Sequence, residues 1–240
     1  MEKPIFSVSN IRAGYGELVV LFDVTLDFQS GEWVLLIGPN GCGKSTLLKV
    51  ISNLLKPIKG KIIFNFSKSL RGKGEKNNIG FLKQTNNIFP ALTVLENLKM
   101  AAFYTKDQAF ENYLEILFST FPDLKDFSQK RAGLLSGGMR QKLAIGMALA
   151  RRHELLLLDE PTAGLAPHAA VEILMKTEEL KNELSKSKPI TIIMVEHNYR
   201  YVKNKVNRVV GMREGRIVID SKSPVSVLEN KEEMEKIFFG

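Results

Sequence analysis

Apolar and polar positions alternate in short stretches between residues 5 and 37, as in Phe6-Ser7-Val8 and Val24-Thr25-Leu26-Asp27-Phe28. A two-residue period puts every second side chain on one face, the pattern of a half-buried strand. Gly14, Gly16 and Ser30-Gly31 supply turns between such strands. At Trp33–Ile37 the alternation gives way to a continuous apolar run that ends in glycines, which predicts a buried strand feeding a loop. Thr46–Leu55 reads as a helix stopped by Lys56-Pro57, and residues 60–66 return to strand. Lys68–Asn78, basic and with two glycines, reads as an exposed loop.

Between about 85 and 152 the texture is helical. Apolar residues recur three and four apart across Thr93–Phe103, Asp107–Phe121 and Gly138–Arg151. Leu155–Leu158 and Pro189–Val195 read as further buried strands, Val209–Met212 and Arg216–Asp220 as a hairpin around Arg213-Glu214-Gly215, and Pro224–Phe239 as helix. The expected architecture is α/β: one domain whose β-rich core spans about 1–84 and 153–240 and carries a helical insertion at about 85–152.

Composition adds limits rather than identity. With 240 residues, 44% hydrophobic and 25% charged, the chain is long enough for a core and is neither disordered nor fibrous. Its longest apolar runs, such as Val34–Ile37 and Leu155–Leu158, are too short to span a bilayer. The start MEKPIFSVSN has no apolar segment of a secretory signal, and the single Cys42 excludes an internal disulfide framework, so a reducing, cytoplasmic setting is expected. A net charge of +8 favours anionic partners, among them nucleotides and acidic membrane surfaces. No basic run interleaved with aromatics is present, so nucleic acid is not an expected partner.

The strongest chemical signal is Gly38-Pro39-Asn40-Gly41-Cys42-Gly43-Lys44-Ser45, a complete GxxxxGK[ST] between a predicted buried strand and a predicted helix. Triphosphate oxygens need several inward-pointing N–H groups, and glycines let the backbone come close enough to supply them. The following helix adds its positive end, Lys44 would reach the β- and γ-phosphates, Ser45 would bind Mg2+, and Thr46 is a further donor. A second signal is Leu155-Leu156-Leu157-Leu158-Asp159-Glu160, where a buried strand ends in two carboxylates. Ligands of α/β sheets gather at such strand ends, which suits Asp159 to Mg2+ and Glu160 to polarising the attacking water. A third is Leu135-Ser136-Gly137-Gly138: Ser136 is a good N-cap, and the two glycines bare the backbone at a helix's positive end.

Walker A, LSGG signature and Walker B in this order and spacing resemble an ATP-binding cassette (ABC) ATPase over essentially the whole chain. The resemblance implies a P-loop NTPase core with an N-terminal antiparallel β subdomain and an inserted α-helical subdomain. It also implies ATP and Mg2+ as ligands and hydrolysis as the activity. It matches Tyr15 to the aromatic that stacks on adenine, Gln84 to the glutamine that touches Mg2+ and the attacking water, and His197 to the histidine that contacts the γ-phosphate. In this family the LSGG of one subunit closes over the nucleotide of the other. The resemblance therefore implies a second ATPase subunit, in a homo- or heterodimer, together with membrane-spanning permease subunits, and places this chain peripherally on the inner face of the cell membrane. Apolar Ile88, Phe89 and Leu92 are the expected seat for a permease helix.

The chain departs from the family pattern at Met139, where glutamine or glutamate is usual, and at Ala166, where the loop after Walker B usually carries aspartate. Gly164-Leu165-Ala166-Pro167, the stretch Ile88–Leu98 and the ending Phe238-Phe239-Gly240 resemble the ATPases of branched-chain amino acid and urea importers, and also that of lipopolysaccharide export. A soluble cassette ATPase and a non-hydrolysing nucleotide-gated module are the other readings. His153 and His168 read as solvated or structural, Trp33 as core packing, Cys42 as chemically silent, and Glu196 as either a second acid at the site or surface polarity.

Overall fold

Three strands take up residues 5–37, and a fourth follows the first helix, in the computed structural model, which describes residues 3–240 apart from 67–77, 86, 104, 152 and 187. They are β1 (Phe6–Tyr15), β2 (Leu18–Phe28), β3 (Trp33–Ile37) and β4 (Lys59–Phe64). The loop expected at Lys68–Asn78 lies, except for Asn78, outside the described residues. β1 is the centre of an antiparallel sheet in the order β2-β1-β4. Its inward face is Phe6, Val8, Ile11 and Ala13, all fully buried, with the Phe6 ring stacked on Phe28 at 4.3 Å. The two-residue period skips between Val8 and Ile11, where the register shifts and Asn10 takes φ 50, a bulge that the alternation alone did not reveal.

The chain divides into two compact units, Met1–Ile79 with Thr191–Gly240, and Gly80–Ile190. In the first unit, β3 lies between β7 (Thr191–Val195) and β8 (Arg208–Arg213), parallel to both, and β9 (Arg216–Ser221) returns antiparallel to β8. All five residues of β3 and of β7 are buried, which is why both read as unbroken apolar runs. Arg208 joins the two sheets of this unit. Its guanidinium grips Asp220 with two hydrogen bonds of 2.7 Å, reaches Glu32 at 3.1 Å and donates to the Asp27 carbonyl at 2.6 Å. Its pKa is raised even though burial opposes the charge, because the bonds to Asp220 and Glu32 outweigh that penalty.

Helix α1 (Lys44–Ile51) stops four residues short of the expected end at Leu55. The stop is not Pro57 but Asn53, which adopts the left-handed conformation at φ 58 and lets the N–H groups of Leu54 and Leu55 fold back onto the Lys49 carbonyl. The C-terminal pattern likewise splits into α7 (Pro224–Glu229) and α8 (Lys231–Phe238), because Asn230 is extended and its side chain caps Glu233 N–H.

The second unit holds all but the first residue of the short strand β5 (Ile79–Leu82), which the sequence pattern did not announce, beside β6 (Leu155–Asp159). Around them are α2 (Val94–Ala101), α3 (Asp107–Thr120), α4 (Pro122–Asp126), α5 (Gly137–Leu149) and α6 (Pro167–Ser185). α2 starts on a full capping box between Thr93 and Glu96. α3 and α5 approach closely at Gly146, where an added side chain would meet Leu117 at 3.0 Å and whose carbonyl accepts from the buried Tyr113 hydroxyl. Among the described residues, no helix is long and apolar enough to cross a membrane.

Candidate functional site

The GxxxxGK[ST] segment forms a loop between β3 and α1 whose shape depends on its glycines. Gly38 has φ 151, and a β-carbon there would lie 2.0 Å from the Met212 carbonyl oxygen. Gly43 takes φ 106 as the N-cap of α1, with Leu21 Cδ2 at 2.8 Å from a would-be side chain. Gly41, at φ 77, opens onto free space. These conformations are natural only to glycine. Pro39 O accepts from Cys42 N–H, and Cys42 O accepts from Gly215 N–H at 3.0 Å, so the β8–β9 turn braces the loop from behind. That turn, Glu214-Gly215 with φ 49 and 74, was legible as a hairpin, but its contact with the loop was not.

Lys44 is buried, and its ammonium donates to the carbonyls of Gly38 at 2.8 Å and Pro39 at 2.9 Å. The first turn of α1 contains no acidic residue, so the helix's positive end is not neutralised. Ser45 and Thr46 follow in that turn. Cys42 does not point into solvent, in keeping with a chemically quiet thiol. It is buried, with its sulfur 4.0 Å from Lys44 Nζ. Burial raises its thiol pKa despite the neighbouring Lys44 charge, so it stays protonated at neutral pH. Tyr15, at the end of β1, is about half exposed, and Lys49 Nζ donates to its hydroxyl at 3.2 Å, a contact the sequence reading missed.

In the second unit, Asp159 is the buried last residue of β6 and Glu160 is the first beyond it. Glu160 has φ 51, a left-handed backbone that costs a non-glycine residue about 1–2 kcal/mol. Ala163 N–H donates to its carbonyl at 3.1 Å, and Gln84 Nε2 donates to its Oε2 at 2.9 Å. Gln84 and Glu160 are 76 positions apart, and the structure brings them together. Nothing in local spacing could have found that pair.

Ser136 caps α5 by accepting from Met139 N–H, and side chains built on Gly137 or Gly138 would meet nothing within 4 Å. The backbone amides at this helix end are thus open to an approaching anion, with no acidic residue in the first turn. Ala166 occupies the equivalent N-cap position of α6, in extended geometry and without a side-chain bond. An aspartate fits that backbone, and Ala166→Asp is expected to stabilise the protein by about 1 kcal/mol. In calorimetry that would appear as a melting temperature about 2–4 °C higher; an unchanged or lower value would show that the helix start does not accept the cap.

His197 lies exposed just beyond β7. Glu196 is buried rather than a surface charge, and its Oε1 accepts from Asn198 N–H at 3.0 Å. His153 is buried against Gly80, a packing role, and His168 is exposed in α6. Phe89, in the expected permease seat, is half exposed, while Ile88 and Leu92 are partly covered. The segment is held by Asn97, fully buried, which accepts from Phe89 N–H at 2.7 Å and donates to the carbonyls of Phe89 and Thr93.

Among the described residues, no group of three or more His, Cys, Asp or Glu could form a metal cage. Ser45 in the first unit, and Gln84 and Asp159 in the second, each carry a hard oxygen donor of the kind that Mg2+ takes in small number, leaving its other positions to phosphate and water.

The profile of a family described as ABC transporter matches residues 21–163. A protein of Archaeoglobus fulgidus named "Probable branched-chain amino acid transport ATP-binding protein LivF" is 36% identical over 233 residues, covering 96% of each chain. Among solved structures, an ATP-binding cassette of an ABC transporter in its ADP conformation superposes with TM-score 0.79 at 30% identity, over 98% of both chains. A dimeric post-hydrolysis state of an ATP-binding cassette, bound to ADP and Pi, gives TM-score 0.74 at 27% identity over 91% of this chain and 98% of that one.

Proposed function

Because this chain belongs to the ABC transporter family and is an ATP-hydrolysing, ATP-binding subunit of it, we propose that it drives uptake of branched-chain amino acids through separate membrane subunits. The observation that carries the substrate is the identity to the Archaeoglobus transport protein, which extends across 96% of both chains rather than the nucleotide motifs alone. In this reading, residues Gly38–Thr46 hold the triphosphate and Tyr15 stacks on the adenine. Ser136, Gly137 and Gly138 close over the nucleotide of a second subunit. Ser45, Asp159 and Gln84 would hold Mg2+, which supplies charge neutralisation on the phosphates. Glu160 accepts a proton from the attacking water, and His197 holds the γ-phosphate. The hydrogen bond from Gln84 to Glu160 supports this assignment, since it helps to orient the carboxylate. The subunit rests on the inner face of the membrane, with the Phe89 segment, pinned by Asn97, receiving a permease helix.

Two measurements test the reading. Steady-state phosphate release from Mg-ATP should rise faster than linearly with subunit concentration, because each site needs a signature from a second copy. Strict proportionality at all concentrations would count against head-to-tail pairing. Deleting the gene should abolish uptake of labelled leucine while sparing arginine; unchanged leucine uptake would refute the substrate.

A further inference from the structure

The second unit contains a largely covered cation that the proposed chemistry leaves unused. Lys142 lies six residues past the Ser136 cap of α5, and Glu172 six residues past the Ala166 cap of α6, each about 9 Å along its helix. Lys142 Nζ reaches Glu172 Oε1 at 2.7 Å and Asp123 Oδ2, in the first turn of α4, at 2.8 Å. Only 14% of the Lys142 side chain is exposed. Burial works against its charge, yet the bonds and charges of Asp123 and Glu172 outweigh that and hold its pKa above the ordinary lysine value. One ammonium therefore bridges three helices, and two of them begin with the signature and with the loop at 163–166.

We propose that Lys142 is a positioning residue that locks these two helix starts into a single clamp, so that both close together on the nucleotide of the second subunit. The proposal rests on the head-to-tail reading above. Neither helix start has a strong cap of its own to fix it: Ser136 makes one 3.3 Å bond and Ala166 makes none with its side chain. Fixing them falls to the contact one and a half turns further in. The ammonium is mostly covered while its two carboxylates remain partly exposed, so the bridge resists rotation of one helix against the other chiefly through the Lys142 end, and removing a carboxylate leaves that ammonium less well compensated.

The test separates nucleotide binding from closure. In a Glu160→Gln background with Mg-ATP, Lys142→Met should weaken the dimer at least tenfold in sedimentation. Its ATP affinity, measured below the dimerisation range, should stay within twofold. With Glu160 intact, Lys142→Met should lower kcat about tenfold at saturating ATP, and Lys142→Arg should restore both dimerisation and kcat to within threefold. Glu172→Gln, at the more exposed end of the bridge, should shift dimerisation in the same direction by about threefold, and it carries the test if Lys142→Met does not fold. A Lys142→Met protein that dimerises like its parent overturns the proposal. So does one that loses ATP affinity in parallel with dimerisation and is not rescued by arginine. If Glu160→Gln with Lys142 intact forms no ATP-dependent dimer, the head-to-tail reading fails, and the clamp falls with it.

Discussion

Lys44→Ala should weaken ATP binding at least a hundredfold in titration calorimetry while the protein remains folded. The ammonium has three donors. Two are held by the carbonyls of Gly38 and Pro39, and the third faces Cys42 Sγ at 4.0 Å, a weak acceptor. A phosphate oxygen displaces that sulfur without undoing the bonds that shape the loop. A charge-assisted hydrogen bond contributes about 1.5–3 kcal/mol, and the loss of a buried positive charge beside a triphosphate adds to it, so a deficit near 3 kcal/mol, or two decades in affinity, is the expected scale. Lys44→Arg should fail as well, because the position is almost fully enclosed and the branched guanidinium cannot repeat both carbonyl contacts. The fold should survive, since the loop keeps its support from Gly215 N–H on Cys42 O. Retention of affinity within threefold in Lys44→Ala would overturn the assignment of this loop to phosphate.

Continuous apolar strands and punctuated loops could be read directly because their causes are local. Trp33–Ile37 and Leu155–Leu158 are covered on both faces, and a strand in that position must be apolar throughout, so periodicity and burial say the same thing. The GxxxxGK[ST] loop was legible because its glycines answer local demands that the structure displays: a carbonyl 2.0 Å from a Gly38 side chain, a leucine methyl 2.8 Å from one on Gly43, and a left-handed backbone at Gly41. Helix ends were less legible. Pro57 is a loud stop signal, but the chain had already turned at Asn53, whose left-handed geometry is a weaker preference than proline's prohibition. Polar contacts set by packing rather than by local pattern were illegible. Gln84 with Glu160, Asn97 with the Phe89 segment and Lys142 with Glu172 are set by the packing of whole elements, and none leaves a trace in the spacing of one segment. The family resemblance singled out Gln84 for a role at the site without its hydrogen bond to Glu160, and it was silent on Lys142.

Glu160→Gln is expected to reduce kcat by a factor of a hundred to ten thousand, with ATP affinity and melting temperature little changed. The two side chains have the same shape, and the glutamine carbonyl oxygen can still accept the hydrogen bond from Gln84 Nε2. The left-handed backbone at φ 51 is no harder for glutamine than for glutamate. What disappears is the negative charge and the capacity to take a proton, and positioned acid–base groups of this kind contribute about two to four decades of rate. Gln84→Ala makes the complementary change. The carboxylate remains but loses its bond to Gln84, so a smaller loss of about tenfold is expected, because orientation is impaired while the proton acceptor is kept. Phosphate release under saturating Mg-ATP reads both variants on one scale. If Glu160→Gln turned over at a rate within threefold of the parent, the attacking water would have to be activated elsewhere. The strained backbone that Glu160 maintains at the end of β6 would then have no catalytic reason to persist.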